Sequence, residues 1–476
     1  MSFDARKVRT INTPDQYLNL DDPIVAYRSN PLIGALGPIR DKEAIQRLLT
    51  VKPPYDPSER TLPAHLRPHA AFVLREFFLP GIAHMAVVRE VDLLIRQSYK
   101  YRNPFEPRYR RQVCENRKDW KAGREIAPRF TFMPALGASA FGPPGTGKTL
   151  SAGFAVRPFR PVIAHAYALG GERVAFTQMP VLWVNLFQDG SLKSFGREIF
   201  DQAEQTASVP LVRDWGVDRA TGNRIQTLYF QLCQEFNVGL FVVDEFQFIQ
   251  AAHDGSRQAL NYFVRLMNCM GVAVLVIGTD TTAGLLKSNL AASRRFLSSI
   301  PAFTPFVKGP VWDAFFRQMV RYRWVTKTAP EAELSPVVLE LCGGIPDLAV
   351  KLFLLSQMRL FGRKEEFLSA SVLKETAKLL FYTVQDRLTE LRGKAPAAKD
   401  IASVAKTLHE TFDAIAAVEA QRVGAAPIEG VKPPDRVPLE IAANVETTIA
   451  GKMKKAAKTE NPLAALEQMG VVAKPL

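Results

Sequence analysis

An α/β core with a parallel sheet sandwiched by helices is the fold class this sequence predicts, and three observations predict it. First, Val181-Leu182-Trp183-Val184, Leu240-Phe241-Val242-Val243 and Val272-Ala273-Val274-Leu275-Val276-Ile277 are apolar runs without alternation. A strand of that kind is buried on both faces, as in a parallel sheet covered by helices. Second, helical periodicity fills the intervals: Leu260, Phe263, Val264 and Met267 share one face, stopped at Gly271. Third, small residues at 135–140 lead as a strand into a glycine-rich stretch, and a helix follows it.

Taken in order, residues 1–80 form an N-terminal extension, loop-rich and broken at Pro53-Pro54-Tyr55-Asp56-Pro57-Ser58. From Ile82 the pattern turns helical, with Val87, Val91, Leu94 and Ile95 on one face before Asn103-Pro104. Arg96 to Arg124 is basic and interleaved with Tyr99, Tyr101, Phe105, Tyr109 and Trp120. Such a mixture can stack on nucleic acid, and by position it can equally wall an adenine pocket or face a neighbouring subunit. The α/β core spans 81–308. After Pro310 the strand signal ends, and 309–392 reads as a small helical lid. There Ile345-Pro346-Asp347 opens a helix with Leu348, Leu352 and Leu355 inward and Gly362 as its stop. Residues 393–476 form a tail. One amphipathic helix carries Ile401, Val404, Leu408, Phe412 and Ile415, a Pro/Gly linker covers 424–438, and a short helix opens at Asn461-Pro462. That last helix would expose Leu463, Leu466 and Met469, a face suited to docking on a partner or packing back on the lid.

Composition narrows the class. No apolar run of about eighteen residues is present, so no membrane partner is expected. The start lacks the apolar stretch of a secretion signal. The cysteines, Cys114, Cys233, Cys269 and Cys342, lie far apart with no C-x-x-C pair, which suits reduced thiols in a cytoplasmic protein. Lys and Arg exceed Asp and Glu by 61 to 47, a net charge of +14, which favours a polyanionic partner or simply keeps the chain soluble.

Gly142-Pro143-Pro144-Gly145-Thr146-Gly147-Lys148-Thr149 matches the Walker A pattern G-x-x-x-x-G-K-T in full. Its backbone N–H groups would wrap phosphates, Lys148 would reach the β and γ oxygens, and Thr149 would ligate Mg2+. About 95 residues on, the apolar strand Leu240–Val243 ends in Asp244-Glu245. Asp244 would hold the magnesium and Glu245 would activate the attacking water. Thr279, after the next strand, is placed to sense the γ-phosphate or to cap the strand end. Arg294 and Arg295 lie where AAA+ proteins often place an arginine that reaches a neighbour's nucleotide; the alternative is a solvated basic turn. The Asn-Lys-x-Asp element of guanine specificity does not follow the loop, so ATP is the expected nucleotide. These motifs define an AAA+ P-loop ATPase core with a small helical lid and a C-terminal tail.

Further segments are similar to TnsC, the AAA+ regulator family of Tn-type transposons that includes the TniB proteins. They are Tyr27-Arg28-Ser29-Asn30-Pro31, Tyr101-Arg102-Asn103-Pro104, Asp189-Gly190-Ser191-Leu192-Lys193, Asp244-Glu245-Phe246-Gln247, Ser293-Arg294-Arg295 and 350–355, in the family's order over most of residues 25–365. The resemblance implies a homo-oligomer, ring or filament, that assembles with ATP on double-stranded DNA. It would connect a TniQ- or TnsD-like target selector to the transposase TnsB and often the endonuclease TnsA. One departure is Gly343-Gly344-Ile345-Pro346-Asp347, where many AAA+ lids carry a sensor arginine; Lys351, one turn on, could substitute. For DNA phosphates the candidates are Lys193 and Arg197, at a pore-facing position in ring AAA+ proteins, and Arg257; each can also be a solvated charge. A loader or initiator of the same class, or a DNA motor, remains the alternative role.

Overall fold

The computed structural model describes residues 21–124, 135–169, 172–186, 192–220, 222–251, 263–264, 266–280, 294–296 and 298–381. They fall into two compact units, one combining residues 21–50 with 80–303 and the other residues 51–79 with those from 304 on.

In the first unit, α1 (Lys42–Leu49) starts at Asp41, whose carboxylate accepts the Ala44 N–H at 2.7 Å. α2 (Ile82–Lys100) buries the face expected of it, with Val87, Val91, Leu94 and Ile95 all inside. α3 (Pro107–Lys121) lies in the basic stretch, where no helix was predicted. Its inner face is largely polar, with Asn116 donating to Gln234 at 2.9 Å and Asp119 buried, while the exposed Arg117 pairs with Glu235 at 2.8 Å.

Four parallel strands make the sheet: β1 (Gly137–Phe141), β4 (Val181–Asn185), β5 (Leu240–Asp244) and β6 (Ala273–Gly278), in the order β1-β6-β5-β4. Every residue of β5 and β6 is buried, which is why both read as unbroken apolar runs. The helices α4 (Lys148–Val156), α5 (Leu192–Ala207) and α6 (Gly222–Glu235) belong to this unit, and residues 266–270 are also helical before Gly271, where φ is 64°. Between α4 and β4 stands an antiparallel hairpin, β2 (Ile163–Leu169) and β3 (Glu172–Gln178), absent from the sequence expectation. His165 is buried in it, bonded to Gln178 at 2.8 Å and stacked on Phe176 at 4.5 Å.

The strand register gathers the strand ends. Phe141 pairs with Gly278, Val243 with Val276 and Asn185 with Asp244, so all four strands end at one edge. Residues 295–296 and Phe303 lie beside β1. Gly137 N–H donates to Arg295 O at its start and Phe303 N–H to Phe141 O at its end, both at 2.9 Å.

Part of the basic stretch is engaged internally, while Arg108, Arg111, Arg117, Lys118, Lys121 and Arg124 are exposed. Arg96 pairs with Asp92 at 2.9 Å and donates to Gly37 O at 2.7 Å. Arg102 is 2% exposed, and its guanidinium holds the carbonyls of Ser98, Val238 and Met270 just ahead of β5 and β6. Arg124 pairs with Asp119 at 2.8 Å.

The second unit is helical: α7 (Pro310–Met319), α8 (Glu331–Cys342), α9 (Pro346–Met358) and α10 (Ala370–Leu380). α9 begins at Pro346 as expected; Leu352 is fully buried while Leu348 and Leu355 are half-buried, and Gly362 adopts φ 79° beyond its end. Residues 51–79, read from sequence as extension, belong here. Arg67 grips Glu366 with two N–H groups, and Trp324 donates to Glu59 at 2.7 Å. The Arg67 hydrogen bonds, helped by the Gly362 N–H and the Arg67 charge, hold the Glu366 carboxyl below its usual range. Lys351 is engaged by Asp347 at 2.6 Å.

No helix among the described residues is long and apolar enough to cross a membrane. Cys233, Cys269 and Cys342 are buried thiols outside any disulfide, and Cys114 is exposed. The two tail helices expected beyond residue 393 lie outside the described residues.

Candidate nucleotide site

The loop from Gly142 to Gly147 leaves the carboxyl end of β1 and runs into α4, whose first residue is Lys148. Gly147 is the N-cap at φ 89°, a left-handed conformation that favours glycine. Gly142 has φ 154°, and a Cβ there would lie 2.2 Å from Phe303 O, so the loop and the neighbouring chain approach as closely as a bare backbone allows.

Four carbonyls of the loop, those of Gly142, Pro143, Thr146 and Gly147, accept hydrogen bonds. Lys148 Nζ donates to Gly142 O at 2.8 Å and Pro143 O at 2.7 Å, and the Thr146 hydroxyl donates to Pro143 O at 2.8 Å. Thr146 O meets His84 Nε2 at 2.8 Å, and Gly147 O accepts from Ser151. The N–H groups of Gly145, Gly147, Lys148 and Thr149 make no backbone hydrogen bond among the described residues. Four donors at a helix N-terminus form a ready anion cradle.

Thr149 Oγ1 donates to Asp244 Oδ1 at 3.3 Å, which joins the two halves of the motif across the strand edge. Asp244 is 4% exposed, and its Oδ1 also accepts the Glu245 N–H at 2.8 Å. Burial raises its pKa, against the lowering effect of those two hydrogen bonds. Glu245 is exposed, sits at φ 54° and accepts from the Gln247 amide. A non-glycine residue in that region is strained by about 1–3 kcal/mol. Burial pushes the Lys148 ammonium down to about 8, against Asp280, Asp244 and Glu245, whose charges favour its protonated form.

A hydroxyl and a carboxylate this close suit magnesium, which takes one or two protein oxygens and shares substrate phosphates. Among the described residues no group of three or more His, Cys, Asp or Glu forms a protein-only metal cage. The donor set therefore fits a nucleotide-borne magnesium.

Thr279 follows β6 directly, half-buried at the same edge. Arg294 is exposed and Arg295 half-buried, and the Arg295 backbone is tied to Gly137, the far end of β1. Four strand steps separate Gly137 from the loop, about 13 Å. Lys193 is the second residue of α5, with no description of its side chain, and Arg257 lies outside the described residues. Arg197 is held by two carboxylates, Asp201 at 2.9 Å and Asp218.

Three residues near the site carried no assignment from sequence. His84 has no motif around it. Gln247 was visible only as part of a similar segment. Asp280 follows Thr279, and nothing local marks its charge as acting on Lys148.

Residues 136–286 match the family model described as AAA domain. No curated protein matches the chain. Among solved structures it is similar to Cdc6p from Pyrobaculum aerophilum, at 14% identity over 58% of this chain and 68% of that one, TM-score 0.37. It is also similar to the Aeropyrum pernix ORC2 protein at 12% identity (58% and 68% covered, TM-score 0.36). A Walker-type ATPase of Pyrococcus abyssi matches at 17% identity (61% and 78% covered, TM-score 0.35). Similarities that weak carry no functional weight. With the parallel sheet, the Walker A loop and the acidic strand end in place, residues 136–286 of this chain are an AAA-type ATPase domain.

Proposed function

We propose that this chain is an ATP-hydrolysing switch that assembles on duplex DNA and links a target-selection protein to a transposase. The observation that carries the ATPase half is the Thr149–Asp244 contact at 3.3 Å, with Glu245 next in sequence. Lys148 and the loop N–H groups would bind the β and γ phosphates, and Thr149 and Asp244 would hold magnesium, which neutralises charge on them. Glu245, exposed beside that pair, would take the proton from the attacking water. Thr279, at the same edge, would contact the γ-phosphate. Arg294 and Arg295 sit a strand length from their own loop, which supports a role on the nucleotide of an adjacent copy.

The transposition half is supported by the six segments similar to TnsC, and the net charge of +14 supports a DNA partner. TnsB, TnsA and a TniQ- or TnsD-like protein are the partners it implies, with the tail as a docking segment. Lys193 and Arg197 are the phosphate candidates, and Arg197 would have to leave Asp201 and Asp218 to serve.

The test is ATP-dependent binding to duplex DNA, followed by addition to a transposase reaction. Lys148→Ala should abolish both. Lys193→Ala should weaken DNA binding alike for all sequences and reduce the salt slope by about 1. DNA binding indifferent to ATP would overturn the switch. Strand displacement would identify a motor, and the opening of protein rings a loader.

A further inference from the structure

The Walker loop is held from outside by one buried imidazole. His84 is the third residue of α2, and its Nδ1 lies 2.8 Å from the Gly81 N–H while its Nε2 lies 2.8 Å from Thr146 O. A backbone N–H only donates and a carbonyl only accepts, so a single tautomer serves both contacts. Nδ1 is the acceptor, and Nε2 carries the proton and donates it to Thr146. The ring is 7% exposed and stands edge-on to Phe303, centroids 5.2 Å apart. Burial lowers its pKa from the ordinary histidine value, which keeps the neutral form that this arrangement needs.

A fixed Thr146 carbonyl has a consequence for its neighbour. In a trans peptide the C=O of one residue and the N–H of the next point in opposite directions. Anchoring Thr146 O on His84 therefore turns the Gly147 N–H the other way, away from α2. Gly147, at φ 89°, has the freedom to let that peptide flip. The Lys148 bonds restrain Gly142 and Pro143, but neither touches the Thr146–Gly147 peptide.

From this geometry we infer that His84 is a positioning residue for nucleotide binding: it locks the Thr146–Gly147 peptide so that the Gly147 N–H faces the phosphates. The inference rests on the nucleotide reading of the loop and adds a residue that the Walker pattern does not contain. It also assigns the start of α2 a role beyond packing, because the same ring caps the helix at Gly81.

The experiment uses the full chain with His84→Ala and His84→Gln, since a glutamine amide can still donate to Thr146 O. ATP and ADP affinities, KM and kcat at saturating ATP, and melting temperature without nucleotide are measured for each. A hydrogen bond to a charged phosphate is lost, so His84→Ala should weaken both nucleotides about tenfold or more. The loss should fall on KM rather than kcat, and His84→Gln should recover most of it. Wild-type affinity in His84→Ala overturns the inference. If alanine lowers the melting temperature, the glutamine variant decides: a normal melting temperature with alanine-like affinity also overturns it. A wild-type chain that binds no nucleotide would instead overturn the site assignment, and this inference with it.

Discussion

Gly142→Ala is the substitution whose effect the structure specifies most closely. The new Cβ would lie 2.2 Å from Phe303 O and 2.6 Å from Phe303 Cβ, about an ångström inside contact with backbone that has no rotamer to change. The φ of 154° adds strain of about 1–3 kcal/mol for any side chain. Relief by moving Phe303 costs its hydrogen bond to Phe141 O, about 1 kcal/mol, and its edge contact with His84, about another 1 kcal/mol. The total is about 3–5 kcal/mol, a large fraction of the stability of an ordinary domain. Gly153→Ala is the control. Gly153 lies inside α4 with nothing within 4 Å of an added Cβ, so alanine should stabilise by about 0.5–1 kcal/mol. Urea unfolding and ATP titration of both full-length variants separate the cases. Should Gly142→Ala match wild type in both measurements, the account of the loop's close approach fails.

Glu245→Gln should keep ATP affinity and lower phosphate release about a hundredfold or more, since an amide takes no proton from water; wild-type turnover removes Glu245 from the mechanism. Arg294→Ala or Arg295→Ala should lose hydrolysis but not ATP binding. Mixed with Lys148→Ala protein, neither should give the average of the two activities, and simple averaging at every ratio refutes a role in trans. His165 offers a pH test. Burial pushes it down to about 4, against an ordinary value near 6.5, so the folded state binds fewer protons than the unfolded one. Its contribution is intact above about pH 6.5 and is lost as pH falls towards 4, by up to about 3 kcal/mol. Urea midpoints at pH 7 and pH 5 should diverge more for wild type than for His165→Gln, and equal divergence would refute the cause.

The sequence disclosed whatever depends on local pattern. β5 and β6 are buried on both faces and so could be found as continuous apolar runs, and the glycines of the loop stand in a fixed motif. The hairpin stayed hidden because His165, a polar residue, occupies an inward position of β2 and is satisfied by Gln178 from β3. α3 stayed hidden for a related reason: Asn116 and Asp119 are buried on it, so its inner face lacks an apolar stripe. The partners of Arg96, Arg102 and Arg117 are likewise set by folding: two of these arginines are buried structural groups, while the other basic side chains of the run, such as Arg108, Arg111 and Lys118, are exposed. His84 acts through a loop 62 residues away, a relation no local pattern encodes.

Arg295 and Phe303 are fastened at opposite ends of β1, to Gly137 and to Phe141. At one end lie the arginines proposed to reach a neighbour. At the other, Phe303 props Gly142 and touches His84, the two supports of the chain's own loop. One strand thus serves as a common beam: β1 carries the backbone of Arg295 at one end and, through Phe303, the underside of the Walker loop at the other.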